Sequence, residues 1–361
     1  MIPIVTPVQM AAIDAAAPEP VEVLIDRAGA AVARAALAML RDDGGTYGRR
    51  VLVVAGKGNN GHDGRAAAAR LRRRGVRCLV LDALDLPATL PPVDLVIDAA
   101  FGTGFRGAWN PPAVPERRDG CGGPAPVLAV DIPSGVDGLT GQLGGEVWSA
   151  TRTVSFAALK PGLVLEPGAS YAGAVEVVDI GLDTSSADSW FVEDHDVAHW
   201  IPQRPPDTHK WKAAVWVVGR SSGMEGAATL TASAALRAGA GYVRVSAPGS
   251  VPSPRPVECV GTALPTVGWG LEVVGSAQRF GAVVVGNGLG LESRHADELR
   301  TLVGRCPVPC VVDADALTLL SAEVPGGSGP WSASTVITPH DGEYERLAGR
   351  KPGPDRFAAA Q

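Results

Sequence analysis

The stretch Val51-Leu52-Val53-Val54-Ala55-Gly56-Lys57-Gly58-Asn59-Asn60-Gly61-His62-Asp63-Gly64-Arg65 decides how the chain is read. Its first five residues are apolar without alternation, as in a strand buried on both faces. A turn dense in glycine and amide side chains follows. A basic, alanine-rich segment, Arg65 to Arg74, then begins with helical character. Strand, glycine turn and helix together let an α/β protein offer backbone N–H groups and a helix N-terminus to an anion.

Outward from this unit, further apolar runs lie at 76–81, 95–99, 127–132, 153–159 and 175–180. Most are continuous, which favours a parallel sheet covered on both faces. Residues 7–17 and 21–40 read as amphipathic helices, the second with Val21, Leu24, Ile25, Ala28, Val32 and Ala36 at helical spacing before Asp42-Asp43-Gly44-Gly45 breaks it. Residues 183–208 are polar, proline-bearing and without period, and read as a linker. From His209 a second series begins, with strands expected at 214–218, 242–247, 283–286, 310–313 and 335–338 and helices at 226–238 and from Glu343. The expected organisation is a domain over 1–182, a linker over 183–208 and a second α/β domain over 209–361. The last residues, RKPGPDRFAAAQ, open a helix, so the second domain is expected to be partial.

Composition narrows the function. Net charge is -6, and no basic stripe is interleaved with aromatics, so nucleic acid is not an expected partner. Aromatic residues make up only 5% of the chain, so alanine, valine and leucine are expected to fill the cores. Cys78, Cys121, Cys259, Cys306 and Cys310 are odd in number and scattered. That excludes the paired spacing of a zinc site and suits a reducing compartment. MIPIVTPVQM is not a secretory signal and no stretch has membrane-spanning length. The expectation is a cytoplasmic protein with no membrane partner, its surface compatible with a homo-oligomer.

Gly56-Lys57-Gly58-Asn59-Asn60-Gly61 satisfies the spacing G-x-G-x-x-G, and Asp82 lies 21 residues after Gly61 at the end of the next strand. This is the position of the ribose-binding acid in a dinucleotide fold, so a nicotinamide-dependent dehydrogenase is one reading. Asn59, Asn60 and Asp63 argue against it by crowding the loop with oxygens. Two later strands also end in acid-bearing turns, DAAFGTGFRG from Asp98 and DIPSGVDGLTG from Asp131. Asn60, Asp98 and Ser134 thus stand near successive strand ends as amide, carboxylate and hydroxyl donors, a set suited to a hard cation. Singly, Asp98 and Asp131 read as turn or cap residues. Together, at the edge where open α/β sheets bind ligands, they read as a site.

GNNGHDGR, DAAFGTGFRG, DIPSGVDGLTG and SFAALKPGL, in that order, resemble the NAD(P)H-hydrate epimerases over roughly residues 3–182. The resemblance implies a Rossmann-like three-layer αβα sandwich that interconverts the R and S forms of NADHX and NADPHX, hydrated forms of the reduced cofactors. It implies a potassium ion on Asn60, Asp98 and Ser134. It implies substrate contacts from Asn59, Asn60, Gly61, His62 and Asp63, from Gly102, Thr103, Gly104, Phe105, Arg106, Gly107 and Ala108, and from Asp131. His62 stands where that family has glycine. Inversion at a carbon bearing a hydroxyl needs proton transfer, and Asp131 is the expected acid/base. Lys160 reads by default as a solvated lysine, with offsetting of substrate phosphate charge as the alternative.

The second half resembles the ADP- or ATP-dependent NAD(P)H-hydrate dehydratases through VVGRSSGMEGAA (217–228), ALRAGAGYV, GNGLG (286–290), VVDADAL (311–317) and ITPHDGEYERL (337–347). This implies a partial ribokinase-like α/β domain, a nucleotide with Mg²⁺, and Ala227, Gly288 and His340 along the hydrate. Read alone, His340 is equally a turn histidine. The family's later Gly-Thr-Gly-Asp segment has no counterpart after Leu347, so this chain alone is expected not to dehydrate the hydrate. A non-catalytic binding module is the third reading.

Overall fold

The computed structural model describes residues 1–118, 122–321, 331–332 and 334–360. Cys121 lies outside them; Cys78, Cys259, Cys306 and Cys310 are free thiols. The chain divides into two compact units, Met1–Pro202 with Pro354–Gln361, and Gln203–Gly353.

The first unit runs β1 (Ile2–Ile4), α1 (Pro7–Ala15), α2 (Val21–Asp42), β2 (Arg50–Ala55), α3 (Asn59–Arg73), β3 (Arg77–Asp82), β4 (Leu95–Ala99), β5 (Val127–Val130), β6 (Arg152–Phe156), α4 (Gly168–Ala172), β7 (Ala174–Val178), β8 (Ser189–Phe191) and α5 (Asp194–Trp200). Its six-stranded sheet is parallel throughout, in the order β3-β2-β4-β5-β6-β7. Continuous apolar runs became central strands because helices cover them. Val51 to Val54 and Leu95 to Ile97 are completely buried, each side chain contributing about 1.5–3 kcal/mol. On α1 a capping box fixes the start. Thr6 Oγ1 accepts from Gln9 N (3.2 Å), Gln9 Oε1 accepts from Thr6 N (2.8 Å), and Pro7 occupies the first turn, where no N–H is needed. The α2 stripe of Leu24, Ala28, Ala31, Val32, Ala35, Ala36 and Leu40 is buried.

The stretch expected as a linker is partly ordered into this unit. β8 pairs antiparallel with β1, Ile2 opposite Phe191 and Ile4 opposite Ser189. α5 follows with its own Glu193–Asp196 capping box. Two short extended segments satisfy each other's backbone groups, a pairing that no apolar period announces.

The second unit contains β9 (Ala214–Val218), α6 (Glu225–Arg237), β10 (Tyr242–Pro248), β11 (Val260–Leu264), α7 (Trp269–Ala277), β12 (Ala282–Val285), α8 (Arg294–Arg305), β13 (Cys310–Val312), α9 (Asp315–Ser321), β14 (Thr335–Ile337) and α10 (Asp341–Ala348). A last short helix, α11 (Arg356–Ala360), belongs to the first unit. The second sheet is also parallel, β11-β10-β9-β12-β13-β14. Its core departs from the aliphatic filling expected. Trp216 and Trp269 are fully buried, and Phe280 packs on Trp216 with ring centroids 4.9 Å apart. The few aromatics are concentrated where they fill most volume. Among the described residues no helix is long and apolar enough to cross a membrane.

In each sheet the strand order reverses once, between β2 and β4 in the first and between β9 and β12 in the second. An open parallel sheet leaves its crevice for ligands beside such a reversal.

Candidate active site

A cavity of about 890 Å³ lies at the first reversal, within the usual range for small-molecule sites. Its floor comes from the turns after β2, β4, β5 and β6, with α1 and α2 contributing a wall. Asn59, Asn60 and Asp63 line it from the first turns of α3; Gly102, Thr103, Gly104, Phe105 and Arg106 line it from the turn after β4; Asp131 lines it from the turn after β5.

Gly61, His62, Gly107 and Ala108 are not among the lining residues. Gly61 is buried against the preceding turn, where a Cβ would collide with Gly56 O. It is glycine so that strand and helix can approach, not to admit a ligand. His62 is exposed, so the departure from the family at this position does not narrow the cavity. Gly107 turns its carbonyl to Gly144 instead, where a Cβ on Gly144 would lie 2.4 Å from Gly107 O.

The 101–109 loop is pinned from beneath by aromatic rings. Phe101 and Phe105 centroids lie 4.4 Å apart, Phe101 meets Trp109 edge-on at 5.5 Å, and Trp109 meets Trp148 at 5.5 Å. Trp109 Nε1 donates to Ala83 O and Trp148 Nε1 to Pro112 O. A glycine-rich cradle thereby has a fixed shape before any ligand arrives.

Two pairs define the electrostatics. Asp98 is wholly buried at the end of β4. Its Oδ1 accepts from Ser134 Oγ (2.6 Å) and Ala100 N (3.3 Å), its Oδ2 from Ser134 N (2.8 Å). Burial pushes its carboxyl above the ordinary carboxylate range, and these hydrogen bonds pull the other way. Ser134 Oγ also accepts from Phe101 N and lies 3.2 Å from Phe101 O. Asn60 borders the same turn: a Cβ on Gly102 would sit 3.6 Å from its Oδ1. The Asn60 amide nitrogen is buried without a hydrogen-bond partner. Carboxylate, hydroxyl, amide and the Phe101 carbonyl thus gather around one turn.

The second pair is Asp131 with Lys160. Lys160 is 1% exposed, so neither the solvated lysine nor the free phosphate partner expected of it holds. Its Nζ is ion-paired with Asp131 Oδ1 and donates to Ser155 Oγ (2.9 Å) and Phe156 O (3.0 Å). Asp131 has φ 66°, a left-handed backbone that only glycine adopts freely. Its N–H donates to Val154 O at 2.7 Å and its side chain is held by Lys160. The strain therefore aims one carboxylate into the cavity.

Two further carboxyls face the same space. Asp63 is 7% exposed; burial, then the charges of Asp131 and Asp14, push it up to about 8. Asp14, on α1, is raised by desolvation against the cavity wall and by Asp131. Asp14 belongs to no motif. Its signal was an acid four residues after Met10 and one after Ile13, both buried, on an otherwise apolar helix face. Asp82, the ribose-binding acid of the dehydrogenase reading, is absent from the lining; its Oδ1 accepts from Leu84 N at 2.9 Å and closes a turn.

At the second reversal the turn after β9 meets the turns after β12 and β13. Arg220 N donates to Asn287 O, Asn287 Nδ2 to Asp313 Oδ2 (2.7 Å), and Gly290 N to Asp315 Oδ2 (2.8 Å). Gly288 has φ 68°, and a Cβ there would lie 2.5 Å from Met224 O and 3.4 Å from the Ala227 Cβ. Ala227 and Gly288 are thus brought together. His340 instead caps α10, its Nδ1 accepting from Gly342 N (3.1 Å) while Glu343 Oε2 accepts from His340 N (3.0 Å).

Fold and site together define a tandem α/β enzyme whose first unit is equipped for proton transfer on a small molecule. Two family models match the chain. The YjeF-related protein N-terminus covers residues 21–87 and 81–162, and the NAD(P)H-hydrate dehydratase model covers 215–361. A bifunctional NAD(P)H-hydrate repair enzyme of Moorella thermoacetica is 35% identical over 357 residues, covering 83% of this chain and 66% of that protein. The enzyme of the same description from Mycobacterium tuberculosis is 36% identical over 342 residues, covering 88% and 68%. A crystal structure of the ADP/ATP-dependent NAD(P)H-hydrate dehydratase from Bacillus subtilis, co-crystallised with ATP and Mg²⁺, aligns at 22% identity over 44% of this chain and 55% of that one, with a TM-score of 0.35, too remote to argue from. The chain belongs to the family of bifunctional NAD(P)H-hydrate repair enzymes, and spans about two thirds of the length of the relatives it matches.

Proposed function

We propose that the first unit interconverts the R and S epimers of NADHX and NADPHX, and that the second is part of an ADP- or ATP-dependent dehydratase domain, the kind whose substrate is the S form, with no dehydration assigned to this chain alone. The epimerase is assigned to residues 1–182 and the dehydratase domain to 209–361. The observation that carries the first assignment is the Asp131–Lys160 pair, buried on one side and open to the cavity on the other. A carboxylate fixed by a cation can take and return a proton at the oxygen of the hydroxyl-bearing centre.

Asn60, Asp98 and Ser134 fit a potassium ion. A fully buried carboxylate with no cationic partner among the described residues, the Asn60 amide oxygen beside Gly102 and a hydroxyl are oxygen donors that such an ion completes. When bound, the ion supplies charge balance for Asp98 and fixes the Phe101–Gly102 turn. Gly102 to Arg106 and the N-terminus of α3 offer backbone N–H groups to the substrate phosphates. In the second unit, Ala227, Gly288 and His340 are assigned to the hydrate. When bound, ADP or ATP with Mg²⁺ would supply the phosphoryl group that makes the hydroxyl a leaving group.

The test is epimerisation itself. Pure S-NADHX incubated with the protein should relax to the R/S mixture far faster than in buffer, followed by chromatography of the two epimers. Relaxation no faster than in buffer defeats the assignment. Hydride transfer to a test alcohol or acid would favour the dehydrogenase reading instead.

A further inference from the structure

The first cavity holds more ionisable groups than one acid/base requires. Asp63 is the unexplained one. Its side chain is 93% buried, as the complement of 7% exposure, yet it faces the cavity. Among the described residues no hydrogen bond or ion pair reaches its carboxyl. A buried ionised carboxylate without a partner is costly. Its charged neighbours make ionisation harder still, because Asp131 and Asp14 are the two that act on it. Lys160, which lines the same cavity, is committed to Asp131, Ser155 and Phe156 O. The remaining charged groups lining the cavity are Glu19 before α2, Lys57 in the turn after β2 and Arg106 in the turn after β4. Among the cavity's carboxyls, Asp131 and Asp63 are therefore in unlike states, one ion-paired and one bare, which is how an acid and a base are told apart on one site.

Resting on the epimerase reading above, we propose that Asp63 is the general acid: it meets the substrate as the neutral carboxyl and gives its proton to the departing hydroxyl, while Asp131 receives the proton of the returning water. The step balances. The Asp63 proton moves to the hydroxyl oxygen, the carbon–oxygen bond breaks with its electron pair going to oxygen, and water forms. The ring nitrogen lone pair closes a carbon–nitrogen double bond, giving an iminium. Water adds to the opposite face, the nitrogen recovers its pair, and the added water loses one proton to the Asp131 carboxylate. Asp63 regains a proton from solvent and Asp131 releases one, with no net oxidation or reduction.

Asp63→Asn should lower kcat for epimerisation of S-NADHX by at least about 100-fold while leaving KM within about threefold. Asp63→Glu should restore part of the rate. Wild-type kcat/KM should fall as pH rises through about 8, and the residual activity of Asp63→Asn should lack that limb. In an infrared difference titration of the wild type against Asp63→Asn, which cancels the likewise raised Asp98 and Asp14, a protonated-carboxyl band should disappear with a midpoint near 8. A wild type that epimerises while Asp63→Asn turns over within about threefold of it overturns the acid assignment and leaves the epimerase reading standing. Loss of the infrared band only below pH 6 also overturns it. A wild type that does not epimerise at all removes the proposed function together with this inference.

Discussion

The two units share a scaffold and differ in what they place on it. Each is a six-stranded parallel sheet with one reversal of strand order, and each puts non-glycine residues into left-handed backbone just past its strands: Asp131 and Ala157 in the first, Arg220 and Ala314 in the second. Left-handed backbone at these positions is the kind of strain that collects at functional sites. Around the first, the side chains are ionisable and face the cavity: Asp14, Asp63, Asp131 and Lys160. Around the second, the acids are turned onto the protein itself, Asp313 on Asn287 and Asp315 on the Gly290 N–H, and serve to shape glycine turns. On the proposed reading the first crevice handles proton transfer and the second presents backbone. The sheet supplies the place, and the side chains at its edge supply the chemistry.

The largest expected effect breaks the first crevice only. Asp131→Asn should slow epimerisation by about 10²–10⁴-fold, measured as initial rates on S-NADHX. Because the units are separate, the same substitution should leave the stability of the second unit unchanged in urea titration. Next, Gly288→Ala should destabilise the second unit by about 1–3 kcal/mol, since it forces a Cβ into left-handed backbone against Met224 O. Its urea midpoint should shift, while epimerisation by the first unit stays intact. Asp98→Asn keeps the volume of the buried carboxylate and removes its charge. KCl should raise the melting temperature of the wild type above that in equimolar LiCl, and this difference should vanish in the variant. An identical potassium effect in Asp98→Asn would show that the ion binds elsewhere.

A further effect is on stability against pH. Asp63 is raised from the ordinary 3.8 to about 8. Between those values the folded chain holds more protons than the unfolded one, so this contribution is complete at low pH and is lost as pH rises through about 8. Asp98 acts in the same direction, so the difference between wild type and Asp63→Asn isolates Asp63. The variant should show a flatter decline in unfolding free energy from about pH 4 to 8.

Much of this was legible in the sequence, for a physical reason. Apolar runs in a covered parallel sheet are continuous and long enough to see, and the strands at 95–99 and 214–218 fall where the pattern put them. Asn60, Asp98, Ser134 and Asp131 were visible because strand ends at a sheet reversal carry chemistry in motifs. What escaped lacks a local signature. β1 and β8 recognise each other across nearly the whole first unit, with three residues each. β11 and α7 lie among glycine and proline, while the buried stripe of α8, Ala296, Leu299, Leu302 and Val303, is short and flanked by charge. Lys160 looked solvated because a lysine's burial depends on partners contributed by Asp131, Ser155 and Phe156, brought together only by folding. Asp14 was hidden for the same reason: its helix says only that an acid sits on an apolar face.

The measurement that bears most directly on the first crevice follows pure S-NADHX to its R/S equilibrium with wild type and Asp131→Asn side by side, in potassium buffer at neutral pH. The account predicts rapid relaxation with the wild type and relaxation at least about 100-fold slower with the variant. Equal rates for the two proteins, whether both fast or both no faster than buffer, would contradict it.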